Sequence, residues 1–421
     1  MLVVETLIAV AIAVTTAFGG LVADDVFSVD DSCTVTARPD LWAHHCTSQA
    51  RLAWFLGSAA LLVGAMWARH WLINRNGTLY YLRLLPATSP DRMRGAIDLA
   101  RARSLDFRTA TGWFGIDGDF LDIRTDVNLV TDELERAMND DDEGTGYLFA
   151  PNLVFPAALA VGYDALLRQR THLCELPEQA RSGRRFGGDT GIRTVFFDDG
   201  YTRWSDRDWV PHHAHPDPEI TLTTLGDPTS DPTAVRRVWL SLQLGPQGPV
   251  TEVDAAYPLR RACDVVVVAG PTETVNGEPR LRAWQLPTLR RLPGGDSRRI
   301  DPTAFARILE ELSGAVEHVL DEYPGAQVLL AADVPHTVAF ALGYVISERK
   351  DAYIHGTLPA HPGSRLDSSP AGCTPAQAET DGLSSLNRFW ESVTPVLIQP
   401  GKAIPALVHA AQIPDSVPRS S

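Results

Sequence analysis

Apolar positions come in two long blocks at the head of the chain and then in short runs separated by polar loops. The first block extends from Leu2 to Ala23 with one charge, Glu5, and the second runs from Leu52 to Ala68 without a charge before thinning out toward Ile73. A spanning helix needs ~20 mainly apolar residues, so this pattern predicts a transmembrane hairpin over 2–23 and 52–73 with an external loop at 24–50. No basic leader precedes the first block and a second block follows it, which argues against a cleaved signal peptide. Arg69, Arg75, Arg83, Arg92, Arg94, Arg101 and Arg103 crowd the exit of the second block. The positive-inside rule then places both termini in the cytoplasm and the chain in the inner membrane as a multi-pass protein. Cys33 and Cys46 fall in the outer loop and form a disulfide candidate in an oxidising compartment, whereas Cys174, Cys263 and Cys373 would stay reduced.

Small residues recur at four-residue spacing in both blocks: Ala9, Ala13 and Ala17 in the first, Ala60, Gly64 and Ala68 in the second. Such faces allow close helix approach in lipid. They fit either packing within the hairpin or mating with neighbouring subunits.

Beyond a juxtamembrane linker at 74–105, strands and helices alternate. Strands are expected at Tyr80–Leu85, Phe107–Phe114, Tyr147–Ala150, His172–Leu176, Thr194–Phe197, Val238–Leu244 and Gln327–Ala331, with another at Ala352–His355. The run Cys263–Ala269 reads as a strand covered on both faces, because near-continuous valine suits a buried parallel sheet. Helices are expected at Arg92–Arg103, Asn128–Met138, Pro156–Arg168 and His336–Glu348. Another covers Pro302–Glu322, where Phe305, Ile308, Leu309, Leu312, Val316 and Leu320 repeat at helical spacing. Residues 362–383 read as a Ser/Pro/Gly-rich loop, followed by a poorly patterned tail.

One unit occurs twice. YLFAPNLVFPAALAVGYDALLRQRTHL from Tyr147 aligns without gaps to VLLAADVPHTVAFALGYVISERKDAYI from Val328, setting Gly162 against Gly343, Tyr163 against Tyr344, Arg168 against Arg349 and Asn152 against Asp333. The preceding helices, VNLVTDELERAM and ILEELSGAVEHV, also correspond. Alternating strands and helices imply parallel sheets with helices on both faces. The fold class is therefore α/β: two transmembrane helices and a duplicated Rossmann-like cytosolic domain, with a first half at 106–250, a second at 251–366 and a tail at 367–421.

Composition narrows the chemistry. The 421 residues leave about 340 after the hairpin, enough for one large or two ordinary domains. A formal charge of −15 argues against a long nucleic-acid surface. Lys350 and Lys402 are the only lysines, so no Gly-rich loop ends in Lys-Ser/Thr, and GxGxxG, HExxH, GxSxG and CxxC are absent as well. No catalytic residue, metal or cofactor is expected. The triplet His212, His213 and His215, with Asp217 and Glu219, reads as an exposed loop, and Asp140–Glu143 as a solvated turn.

Ligands of open parallel sheets bind beyond the carboxyl ends of the strands. Those ends are Pro151-Asn152-Leu153 and Asp333-Val334-Pro335-His336-Thr337, each leading into a helix whose N-terminal amides favour an anion. Gly270-Pro271-Thr272 follows the valine strand, and Trp284 lies among arginines that would let it stack on a base. Asn152, Asp333 and Thr337 fit equally well as helix caps.

The block LLAADVPHTVAFALGYVISER and its partner LFAPNLVFPAALAVGYDALL resemble the SAVED domain of bacterial antiphage CBASS systems, a pair of fused CARF-like Rossmann units. The resemblance covers roughly 105–365. It implies binding of a cyclic oligonucleotide of the tri- or tetra-adenylate type, made by a partner nucleotidyltransferase (CD-NTase), and homo-oligomerisation on activation. In the transmembrane type it further implies membrane disruption by the hairpin and abortive infection. Two other readings stay open. One is a membrane-tethered enzyme acting on a nucleotide-like substrate through Asp333 and His336, and the other a scaffold without a ligand.

Overall fold

A computed structural model describes residues 2–27, 49–87, 89–116, 118–141, 146–167, 171–176, 193–196, 220–225, 232–245, 248–284, 288–289, 298–300, 302–354 and 385–412. Two units divide the chain: Met1–Gly77 with Leu99–Asp106, and Thr78–Asp98 with Phe107–Ser421.

In the first unit, helices α1 (Leu2–Phe27) and α2 (Gln49–Asn76) pack along each other. Their seam buries Ala11 and Ser58, stacks Phe18 on Trp54 with ring centroids 6.0 Å apart, and sets Gly19 against Phe55. Ala9, Ala13, Ala17, Ala60 and Gly64 are exposed, away from that seam, and the side chain of Ala68 lies outside the described residues.

Among the described residues no helix is long and apolar enough to cross a membrane. This corrects the transmembrane hairpin over 2–23 and 52–73, and with it the multi-pass inner-membrane location. Both helices run beyond their apolar stretches into polar and charged residues, Asp24 and Asp25 in the last turns of α1. Thr15 and Thr16 interrupt the apolar run within the unbroken helix α1, where the Thr16 hydroxyl donates back to the Ile12 carbonyl at 2.8 Å. In α2, Gln49 and Arg51 precede the apolar stretch while Arg69, His70, Asn74 and Arg75 follow it. Cys33 and Cys46 lie outside the described residues.

Among the described residues the second unit holds two seven-stranded sheets and a three-stranded one. The first large sheet contains β1 (Thr78–Pro86), β2 (Asp106–Phe114), β4 (Tyr147–Leu153), β5 (Thr171–Glu175) and β6 (Arg193–Phe196), joined by β13 (Thr288–Leu289) and β14 (Arg298–Ile300). The second contains β3 (Leu121–Asp122), β7 (Thr221–Leu225), β8 (Arg237–Gln243), β10 (Val265–Gly270), β15 (Gln327–Asp333), β16 (Val393–Gln399) and β17 (Lys402–Leu407). The small sheet is β9 (Gly248–Pro249), β11 (Thr272–Val275) and β12 (Glu278–Leu281).

The helices are α3 (Met93–Arg103), α4 (Arg124–Asn139), α5 (Phe155–Asp164), α6 (Pro258–Arg261), α7 (Pro302–Glu322), α8 (His336–Ile354) and α9 (Phe389–Ser392). The spacing-derived face of α7 is buried throughout, and so is the valine run of β10.

Parallel pairing joins β1 to β4 and β4 to β5 in one sheet, and β10, β8, β15 and β16 in succession in the other. Antiparallel strands β6 and β7 flank these cores, so the class is mixed α/β. The two sheets do not divide at residue 250. Strands β3, β7 and β8 belong to the second sheet although they precede that point, and β13 and β14 belong to the first although they follow it.

Two further expectations change. Of the strand expected at Ala352–His355, residues 352–354 form the last turn of α8, which runs unbroken to Ile354, and His355 lies outside the described residues. The tail at 367–421 contains α9, β16 and β17. Pro395 disguises β16, because a proline demotes a strand pattern to an edge or to none, yet here the residue sits in a buried strand paired on both sides.

The repeated helices α5 and α8 cross at Gly162 and Gly343. The matched tyrosines then diverge. Tyr163 stacks on Phe389 with centroids 5.9 Å apart, whereas burial, followed by the charge of Glu348 and a hydrogen bond with it, raises the phenol of Tyr344.

Candidate functional site

Strands β8 and β15 end together, with Asp333 paired to Gln243 and the Leu244 amide donating to the Asp333 carbonyl at 3.0 Å. Over these carboxyl ends fold β9 and β12, and Ile398 of β16 closes one side. The result is a cavity of about 510 Å3, within the ~300–1,000 Å3 range of small-ligand sites. Gly270 lets the small sheet come this close, since a Cβ there would lie 2.7 Å from both the Gln243 carbonyl and a Leu281 methyl.

The polar wall is built from the strand outward. Gln243 is 4% exposed, and its side-chain nitrogen donates to the Ser241 hydroxyl at 2.8 Å. Ser241 donates in turn to Asp254 Oδ2 at 2.7 Å, and the Trp239 indole N–H reaches the same oxygen at 3.1 Å. Asp254 itself has φ +55°, a left-handed conformation that Asp tolerates better than most residues. Asp333 faces the cavity beside Gly245, where a Cβ would stand 3.2 Å from its Oδ2. Burial, and after it the charge of Asp254, push the Asp333 carboxyl above its ordinary range. Burial and then the charges of Asp254 and Asp333 raise the phenol of Tyr257, which also lines the space. Glu252 supplies a further carboxylate.

The equivalent strand ends in the first sheet carry a different network. Asn152 is buried and donates to the Tyr81 hydroxyl at 2.8 Å. Tyr81 donates to Asp91 Oδ1 at 2.6 Å, Arg83 donates to Asp91 Oδ2 at 2.5 Å, and the Arg83 guanidinium lies 4.1 Å from the ring centre of Trp113. Burial pushes Asp91 upward, but hydrogen bonds from Tyr81, the Met93 amide and Arg83, with the Arg83 charge, hold it below the usual carboxylate range. Asn152 thus belongs to a closed polar cluster and does not cap α5.

The N-terminus of α8, expected to hold an anion, already meets one from the chain itself. Glu175 Oε2 accepts from the Thr337 amide at 3.1 Å and from its hydroxyl at 2.8 Å. His336 Nδ1 lies 2.5 Å from the Leu153 carbonyl, so His336 and Asp333 face different surroundings, and His336 does not line the cavity. Pro151 is buried in β4, paired with Leu82. Pro335 accepts the first helical bond of α8 from Ala339. Pro271 accepts from the Arg282 amide, Thr272 pairs with Leu281, and Trp284 packs against the hydrophobic core.

Of the residues proposed from sequence, the cavity therefore takes only Asp333, with Gly270 shaping its wall. Sequence reasoning missed Gln243, Asp254 and Tyr257, which sit in ordinary strand and turn patterns. Asp141, read as part of a solvated turn, accepts a hydrogen bond from Tyr80 at 2.6 Å. The His212–Glu219 cluster lies outside the described residues. Among the described residues no group of three or more His, Cys, Asp or Glu is arranged to hold a metal ion. Burial pushes the thiol of Cys263 up to about 12.

No family model and no curated protein matches the chain. Among solved structures, it is similar to the Acinetobacter baumannii Cap4 SAVED/CARF-domain containing receptor with the cyclic trinucleotide 2′3′3′-cAAA, at 8% identity and a TM-score of 0.35. The same receptor with 3′3′3′-cAAA matches at 8% identity and a TM-score of 0.37. In both cases the alignment covers 86% of this chain and 59% of the other, so this chain spans about three-fifths of the receptor's length.

Proposed function

We propose that the chain is a receptor for a cyclic oligonucleotide messenger in an antiphage signalling system. The observation that carries this reading is the cavity at the carboxyl ends of parallel strands, in a fold built on a repeated helix–strand unit. Open parallel sheets present their ligands there. The repeated blocks that resemble SAVED domains supply the ligand class, and a partner nucleotidyltransferase would supply the messenger.

On this reading the output is a change in self-association rather than turnover. The messenger would drive it by binding the assembled state more tightly than the free one. The separate surroundings of Asp333 and His336 favour a receptor over an enzyme using that pair.

Calorimetric titration of the full chain with cyclic di-, tri- and tetranucleotides tests the reading, with sedimentation of the same samples to follow assembly. Saturable binding of one ring is expected, and binding of none would overturn it.

A further inference from the structure

The cavity wall is rich in acceptors and poor in donors. Gln243 is almost wholly buried, and because its nitrogen is held by Ser241, its Oε1 is turned to the remaining space; no described residue donates to that oxygen. Asp254 has Oδ2 engaged by Ser241 and Trp239, and no described residue donates a hydrogen bond to its Oδ1. No described residue donates a hydrogen bond to the carboxylate of Asp333, which lines the same cavity on the strand beside Gln243. Among the described residues no lysine, arginine or histidine lines the space, and Pro249 has no N–H to offer. Acceptors that open onto a cavity are satisfied when an occupant that displaces water brings matching donors. Phosphate is the wrong occupant, since three carboxylates would repel it.

We infer that this cavity selects a nucleobase bearing an exocyclic amine, with Gln243, Asp254 and Asp333 as its specificity-determining acceptors. The inference rests on the receptor reading and deepens it. The messenger's phosphates stay outside the cavity while one base enters, its N–H groups meeting the acceptors and the Tyr257 ring forming part of the wall. Ser241 and Trp239 act as positioning residues, because each touches the base only through Asp254. A base that presents a carbonyl where the amine stood leaves acceptor facing acceptor, and sites built on matched hydrogen bonds reject such analogues strongly.

The test is calorimetry on the full chain with cyclic di-, tri- and tetra-adenylates, each beside its counterpart carrying hypoxanthine in place of adenine. At least ~10-fold weaker binding of the hypoxanthine ring is expected. Asp333→Asn, where no described residue hydrogen-bonds the side chain, should shrink that ratio to about threefold or less. Asp254→Asn should do the same, with a thermal melt to confirm folding. Equal affinity for both rings would overturn the inference and leave the receptor reading standing. Binding of neither ring would overturn both. Saturable binding of agmatine with no ring bound would also overturn both, assigning the cavity to a free amine.

Discussion

Gly162 and Gly343, the residues that the internal repeat sets against each other, meet where α5 crosses α8. A Cβ on Gly162 would overlap the carbonyl of Phe340, and one on Gly343 the carbonyl of Leu159. The obstacle in both cases is backbone, which cannot rotate away as a side chain can. Either glycine changed to alanine should therefore cost at least the ~1–3 kcal/mol typical of overpacking. Thermal unfolding of Gly162→Ala and Gly343→Ala checks this, and an unchanged midpoint would mean that the crossing opens easily.

Glu175 and Thr337 make a second link between the repeats. A carboxylate on the first amides of a helix satisfies orphan donors and complements the helix dipole. Glu175→Ala should lower stability by about 1–2 kcal/mol. Glu175→Gln keeps an acceptor without the charge and should lose less. Urea unfolding distinguishes them. Equal losses would show that the charge carries the whole contribution and the neutral acceptor none.

Arg349 is fully buried, donating to Glu317 at 2.5 Å and to the Ser313 hydroxyl at 2.5 Å, and so ties α8 to α7. Breaking one side of a buried pair strands the other charge, at ~3–5 kcal/mol, whereas replacing both with apolar residues of similar volume is often neutral. Glu317→Gln alone should then destabilise less than Arg349→Met alone. The double variant Arg349→Met with Glu317→Met should recover most of the loss. A double variant as unstable as the Arg349 variant would mean that packing, not charge, is at stake there.

The elements with strong local signals were legible in the sequence. The 3.6-residue spacing of α7, the valine run of β10 and the repeat joining β4–α5 to β15–α8 all follow from neighbours in the chain. Pairings between distant segments left no such mark. Nothing around Leu121 signals that it joins β17, nor around Arg298 that it joins β6. For the same reason the anion at the start of α8 stayed hidden, since Glu175 is brought there by the sheet. Asp333 was found because strand ends are marked in sequence, but Asp254 reaches the cavity through a left-handed turn whose sequence, VDAAYP, is unremarkable. In α1 and α2 the apolar runs marked the helices themselves, but among the described residues neither helix is long and apolar enough to cross a membrane.

Asp333 gives the chain a stability that depends on pH. Its carboxyl is raised from 3.8 by burial first and by Asp254 second, so the folded chain holds this proton more tightly than the unfolded one. As pH rises from 3.8 through that raised value, the folded state keeps a proton that the unfolded state has lost, and stability falls. Above the window the loss is complete and constant. Asp333→Asn cannot ionise and escapes it. Because the carboxylate reaches solvent through the cavity, screening keeps the effect small. The variant should melt on the order of 1–2 °C above the native chain at pH 7, with the gap closing toward pH 3.5. In an Asp254→Asn background the gap should narrow, since the second cause has gone. Parallel melting curves with one constant offset from pH 3.5 to 7 would show that Asp333 titrates alike in both states.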